Sequence, residues 1–197
     1  RQRQMCIRDS NIPVSAEEQS QYINGITQIN GYTEFEQPQV IENQDMAQLG
    51  YSDIRAYKIE NAGELAWFVQ HFYAGDLETQ NVSLADNIDM SALAAYSWTP
   101  LGYYNVETQT GKSYDGVFDG NGYSISNIIL NQINGVDLVS KVSEEQAAVL
   151  GTQPIENIAQ NALAGVFGYI GSAGHVTELK LENTSITSNA DAGVLTG

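Results

Sequence analysis

Apolar residues fall at Leu65, Phe68, Val69, Phe72 and Tyr73, a spacing of three and four that puts all five on one helical face. Asn61 stands where an N-cap is needed, Glu64 follows at capping-box distance, and Gly75 is a stop. The pattern predicts a helix from Asn61 to Tyr73, with Trp67 at the edge of its stripe. A short strand over Ala56 to Ile59 precedes it. Burying five such side chains is worth on the order of 10 kcal/mol before chain entropy is set against it, so the helix needs a surface to lie on.

After the helix the period falls to two. Val82, Leu84 and Ala85 open a strand, Asp86 to Met90 continues it, and a loop leads to Trp98-Thr99-Pro100-Leu101-Gly102. Asp119-Gly120 and Asn121-Gly122 form a strong tight-turn signal, and Tyr123, Ile125, Ile128 and Leu130 mark further strands. Residues 131–163 read as an insertion loop, with a short helix within Lys141 to Leu150. Strands resume with Ala164 to Ile170 between glycines, then Val176, Leu179, Leu181 and Ile186. Residues 11–55 are polar and read as a linker or the end of a preceding domain, with Thr33 to Phe35 as a candidate strand.

Two echoes stand out. Ile125-Ser-Asn-Ile128-Ile-Leu130 and Val176-Thr-Glu-Leu179-Lys-Leu181 share a pattern 51 residues apart, and Gly165-Val-Phe and Gly193-Val-Leu share one 28 residues apart. Repeats of this length suggest stacked units that bury a common apolar column. The expected fold class is therefore all-β: the start of a right-handed parallel β-helix, or solenoid, over 81–197, truncated at its C-terminus. The strand and amphipathic helix of 56–80 would cap its open end, which would otherwise expose unpaired strand groups. Ile125, Ile128, Leu130, Phe167, Val176, Leu179 and Leu181 are the expected interior.

Charge narrows the partners. Twenty-four Asp and Glu face eight Lys and Arg, a net of −16, so a polyanion is repelled: no nucleic acid, and no anionic membrane face. No run of 18 apolar residues occurs, so no membrane insertion is expected. Cys6 is the single cysteine, which leaves no intrachain disulfide and no cysteine metal site.

Three of the eight basic residues lie among the first eight positions. The segment Arg1 to Ser10 resembles a translated sequencing-adapter string of the kind found in metagenome assemblies, so 1–10 is expected to be a non-native leader. The runs Ala62 to Phe68, Leu84 to Met90, Trp98 to Gly102, Phe118 to Ile125 and Gly165-Val166-Phe167-Gly168 together resemble bacterial surface proteins that carry GLUG motifs. They are also similar to the N-terminal, non-peptidase region of IgA-specific metalloendopeptidases. Ala192 to Gly197 departs from that pattern at Val194 and Thr196. The resemblance implies a β-helix on a secreted or cell-surface bacterial protein, and no catalytic site in this module.

The residues point the same way. A zincin needs two His and a Glu on one helical face; only His71 and His175 are present, and both read as structural. Asp86, Asp89, Asp115, Asp119 and Asn121 read as turn residues rather than a calcium site or a glycosidase pair, because Asp and Asn side chains cap nearby backbone. Neither cofactor nor metal is expected, and the chain is not read as an enzyme. Aromatics are the better hint. Tyr96, Trp98, Tyr103 and Tyr104, with Tyr114 and Tyr123 near them, are candidate contacts for a host or cell-surface glycan or protein, although packing of Trp98 and some tyrosines against the first rung and its helix is the favoured reading. The leading expectation is a non-catalytic structural or adhesive module, extracellular or on the bacterial surface. The alternatives are a spacer or docking region of a secreted metalloprotease, and a carbohydrate-active β-helix protein.

Overall fold

The computed structural model describes residues 21–29, 32–48, 50–75, 77–105, 109–139, 163–189 and 191–196. The leader expected over 1–10, Cys6, and the helix expected within Lys141 to Leu150 lie outside the described residues.

The polar N-terminal stretch carries an antiparallel meander of β1 (Gln21–Ile23), β2 (Ile26–Ile29) and β3 (Tyr32–Phe35). Asn24 and Gly25 turn between β1 and β2 with φ of 49° and 75°, the left-handed values a two-residue hairpin loop requires. β4 (Gln39–Glu42) and a one-turn helix α1 (Gln44–Gln48) follow, with Asn43 capping α1 by accepting from the Asp45 N–H at 2.9 Å. β5 (Arg55–Ile59) runs antiparallel to β4 and leads into α2 (Ala62–Ala74).

The start of α2 is as the spacing foretold. Asn61 Oδ1 accepts from the Glu64 N–H at 2.9 Å. The Glu64 carboxylate reaches back to the Glu60 N–H at 2.6 Å, one residue earlier than a capping box would place it. Leu65, Phe68, Val69, Phe72 and Tyr73 are all buried. So are Ala62, Gly63, Glu64 and Ala66, so α2 is enclosed on more than its apolar stripe. The meander lies against this second side: the Gly63 N–H donates to Asn24 O at 2.9 Å, and a Cβ at Gly63 would sit 2.0 Å from Gly25 O.

Beyond α2 come β6 (Asn81–Leu84), β7 (Ile88–Asp89), a 3-10 turn at Met90–Leu93, and a hairpin of β8 (Tyr103–Asn105) and β9 (Thr110–Lys112). β10 (Val117–Asp119), β11 (Ser124–Ser126) and β12 (Ile129–Asn131) are short, as are β13 (His175–Thr177), β14 (Lys180–Glu182) and β15 (Ser185–Thr187). They pair in parallel: β5-β6-β10-β13, β7-β11-β14 and β12-β15. Asn121 and Gly122 form the expected tight turn, with φ of 49° and 77°. It joins strands of two different sheets, a corner rather than a hairpin.

Several expectations are corrected here. The chain is not all-β, and it does not form the expected right-handed parallel β-helix. It is a mixed α and β arrangement of several small sheets. β4 makes the five-stranded sheet mixed, β1-β2-β3 and β8-β9 are antiparallel, and α2 is an integral part of the main core. Nor is α2 an outer cap, because Gly63 lets the meander close over it. The longer echo had the wrong phase: Ile125 pairs with Leu181 and Leu130 with Ile186, both 56 residues apart, while Val176 lies opposite Phe118. Ala164 to Ile170 is no continuous strand; it touches neighbours through single parallel bridges such as Leu101 to Phe167 and Ala164 to Ala192. Ile125, Ile128, Leu130 and Phe167 are buried as expected, whereas Val176, Leu179 and Leu181 are half-buried. At the start of the segment read as an insertion loop, Leu138 and Val139 are buried.

Candidate functional surface

The acidic residues singled out as chemistry are tied to backbone and amide groups. Asp119 is buried; one carboxylate oxygen accepts from the Asn121 N–H at 2.8 Å and the other from Asn43 Nδ2 at 3.0 Å. Asn43 Nδ2 also reaches Ser83 Oγ at 3.1 Å, so this network ties α1 to β6 and β10. Asp115 accepts from the Ala173 N–H at 3.2 Å and from Ser113 Oγ at 2.5 Å. Asp89 caps the 3-10 turn through the Ser91 N–H and hydroxyl, both at 2.9 Å, and accepts from Asn127 Nδ2 at 2.8 Å. Those bonds hold its carboxyl below the usual carboxylate range, the Asn127 bond first. Asp86 accepts from the Asn87 N–H at 2.7 Å. Among the described residues, no three His, Cys, Asp or Glu side chains converge as a metal site would require.

The histidines do not meet. His71 stacks on Trp67 with ring centroids 3.7 Å apart, and its Nδ1 lies 2.9 Å from Trp67 O. Burial pushes its pKa below the ordinary value, against a smaller opposing pull from that carbonyl. His175 sits beside Tyr51 at 5.6 Å. Glu64 is pushed the other way, its carboxyl raised above the ordinary range first by burial.

The four aromatic candidates separate. Trp98 is a core residue; its indole N–H donates to Val166 O at 3.0 Å. Tyr96 is half-buried with its hydroxyl 3.3 Å from Thr33 Oγ1, beside a cavity of about 10 Å³ lined by Leu93, Trp98 and Ile129 among others. That volume falls below the range of small-molecule pockets, which starts at about 300 Å³. Tyr103 and Tyr104 are adjacent on β8, and side chains alternate along a strand. Tyr103 stacks on Tyr73 at 6.2 Å, whose hydroxyl donates to Pro100 O deep in the core. Tyr104 instead pairs with Tyr169, ring centroids 5.4 Å apart. Tyr114 is fully buried and donates to Gln80 O at 3.0 Å, while Tyr123 packs half-buried against the core. Burial drives the Tyr73 and Tyr114 hydroxyls well above their ordinary pKa, so they stay protonated.

Tyr169 was missing from the sequence reading. It is 39% exposed and pairs with Tyr104, which is half-buried but, unlike Trp98, Tyr96 and Tyr103, is not packed into the main core. The signal for it lay in Gly168, which lets its segment approach the Trp98 to Gly102 loop. Gly102 itself has φ of 81°, and a Cβ there would stand 2.2 Å from Tyr169 O. Two glycines thus set the distance at which the tyrosines meet.

No family model matches the chain, and no solved structure matches it. The chain is similar to Halomucin of Haloquadratum walsbyi, 28% identical over 116 residues, which is 58% of this chain and 1% of that protein. The chain therefore spans a very small part of the relative it matches. The likeness is to a surface-type protein and supports a surface or secreted location. Among the described residues no helix is long and apolar enough to cross a membrane.

Proposed function

We propose that the chain is a non-catalytic structural and adhesive module of a secreted or cell-surface bacterial protein, of the kind that carries GLUG motifs. The observation that carries this reading is the Tyr104–Tyr169 pair, ring centroids 5.4 Å apart beside close glycine contacts, with Tyr169 exposed and Tyr104 half-buried, while neighbouring acids serve as caps. Aromatic faces stack on sugar rings and anchor protein partners with little entropy to lose. A host or cell-surface glycan or glycoprotein is the partner this surface suits. The likeness to Halomucin agrees with such a setting.

Beads coated with the full chain provide the test, washed over immobilised complex glycans and mucin-type glycoproteins. The chain should retain beads on at least one of these surfaces. Tyr104→Ala combined with Tyr169→Ala should lower retention roughly tenfold, the effect of losing about 1.4 kcal/mol of contact, and leave the melting temperature nearly unchanged. Equal retention by the double variant, or retention on none of the surfaces, would contradict the proposal.

A further inference from the structure

We propose that Asn183 is an acceptor site for N-linked glycosylation. The sequence contains two Asn-x-Ser triplets, Asn81-Val82-Ser83 and Asn183-Thr184-Ser185. That pattern is the minimal acceptor signal, and it means little unless the asparagine is reachable. The structure separates the two. Asn81 is buried and its carboxamide is fully engaged: Nδ2 donates to Asp53 O and Arg55 O, both at 3.0 Å, and Oδ1 accepts from the Val117 N–H at 2.9 Å. A sugar on Nδ2 would remove bonds that join β5, β6 and β10.

Asn183 is the opposite case. It is exposed, lies in the bend between β14 and β15, and has φ of 51°. Its side chain is not drawn into the hydrogen bonding of its neighbours among the described residues. Ser185, the second half of the signal, is exposed at the first position of β15. An enzyme can therefore reach the amide and the hydroxyl together from the solvent side.

The chemistry needs a lipid-linked sugar phosphate as donor. Asn183 Nδ2 forms a bond to the anomeric carbon, the bond from that carbon to the phosphate oxygen breaks, the lipid phosphate leaves with the electron pair, and the amide gives up one proton. Nothing is oxidised or reduced. The position has a structural consequence. Among the described residues β14 and β15 each stand at the edge of their sheet. A glycan in the bend between them screens those edges from pairing with another chain, a need every exposed edge strand poses. The inference rests on the extracellular setting and not on the Tyr104–Tyr169 surface, so the two fail separately.

The test is secretion of the full chain from a eukaryotic host that glycosylates its own secreted proteins, followed by peptide mapping by mass. The peptide holding Asn183 should carry a glycan mass, and enzymatic removal of the glycan should leave the acid form at that position. Ser185→Ala and Asn183→Gln should each abolish the mass shift while the circular dichroism spectrum stays that of the parent. A secreted, folded chain with Asn183 unmodified would overturn the proposal. So would a glycan on Asn81 in its place, or a shift that survives Ser185→Ala.

Discussion

Left-handed backbone occurs where one strand ends and the next begins in another sheet: Asn121 at 49°, followed by Gly122 at 77°, and single residues Asn127 at 59°, Glu178 at 49° and Asn183 at 51°. Asparagine tolerates this region because its short side chain bonds locally, but a glutamate gains nothing there and carries a steric cost of about 1–2 kcal/mol. Glu178 is exposed and its corner is held by backbone, with its carbonyl accepting from the Gly122 N–H at 3.0 Å. Glu178→Gly should therefore raise stability by about 1 kcal/mol, seen as a melting temperature about 2–4 °C higher. A lower melting temperature would show that the glutamate side chain supports the corner. The same corners explain why the longer echo was misread. A pattern of apolar spacing does not say where a left-handed residue resets the phase, so Leu181 was matched to Leu130 when it lies opposite Ile125. Turn chemistry, by contrast, was legible: Asn61, Asp119, Asn121 and Gly122 all act as caps or turns, because their roles depend only on near neighbours in sequence.

At the scale of elements, α2 was the most readable piece and its surroundings the least. Its stripe depends on local periodicity, whereas its second buried side depends on a meander that sequence patterning leaves almost blank. Of the meander's side chains, Ile26 is buried while Tyr22 and Ile23 stay exposed, so neither a helical nor an alternating pattern marks it. The aromatic candidates were legible as residue types only. Which tyrosine stays outside the main core depends on strand alternation and on Gly102 and Gly168, which a list of aromatics does not contain. The edge of α2 also carries a pH response. His71 has its pKa depressed by burial, so its neutral form favours the folded state. Stability linked to it is present above the ordinary value of 6.5 and is lost as pH falls through that value toward the lower folded one. Protonation of a ring stacked 3.7 Å from Trp67 also alters that indole's environment. Fluorescence should therefore fall between pH 7.5 and 5 with a midpoint below 6.5, and His71→Phe should abolish the step. A midpoint above 6.5 would contradict the direction of the shift.

For the whole molecule, the main core joins β5, β6, β10 and β11 to α2 and to the loop around Trp98, Leu101 and Phe167. The meander covers α2 from the other side through the Gly63–Gly25 contact. The net charge of −16 stays compatible with this packing because the acids nearest the core, Asp119 and Glu64, are bonded to donors rather than to each other. The central claim is that α2 is an internal element of a mixed α and β core and not a lid on its end. Native-state hydrogen exchange on the full chain tests it most directly. Amides of Leu65 to Phe72 should be as protected as those of β6 and β10 and exchange only with them, because a helix enclosed on two sides opens with the core. Exchange of those helix amides at least about tenfold faster than β6 and β10, through an opening of their own at least about 1.4 kcal/mol easier, would make α2 a detachable lid and contradict the account.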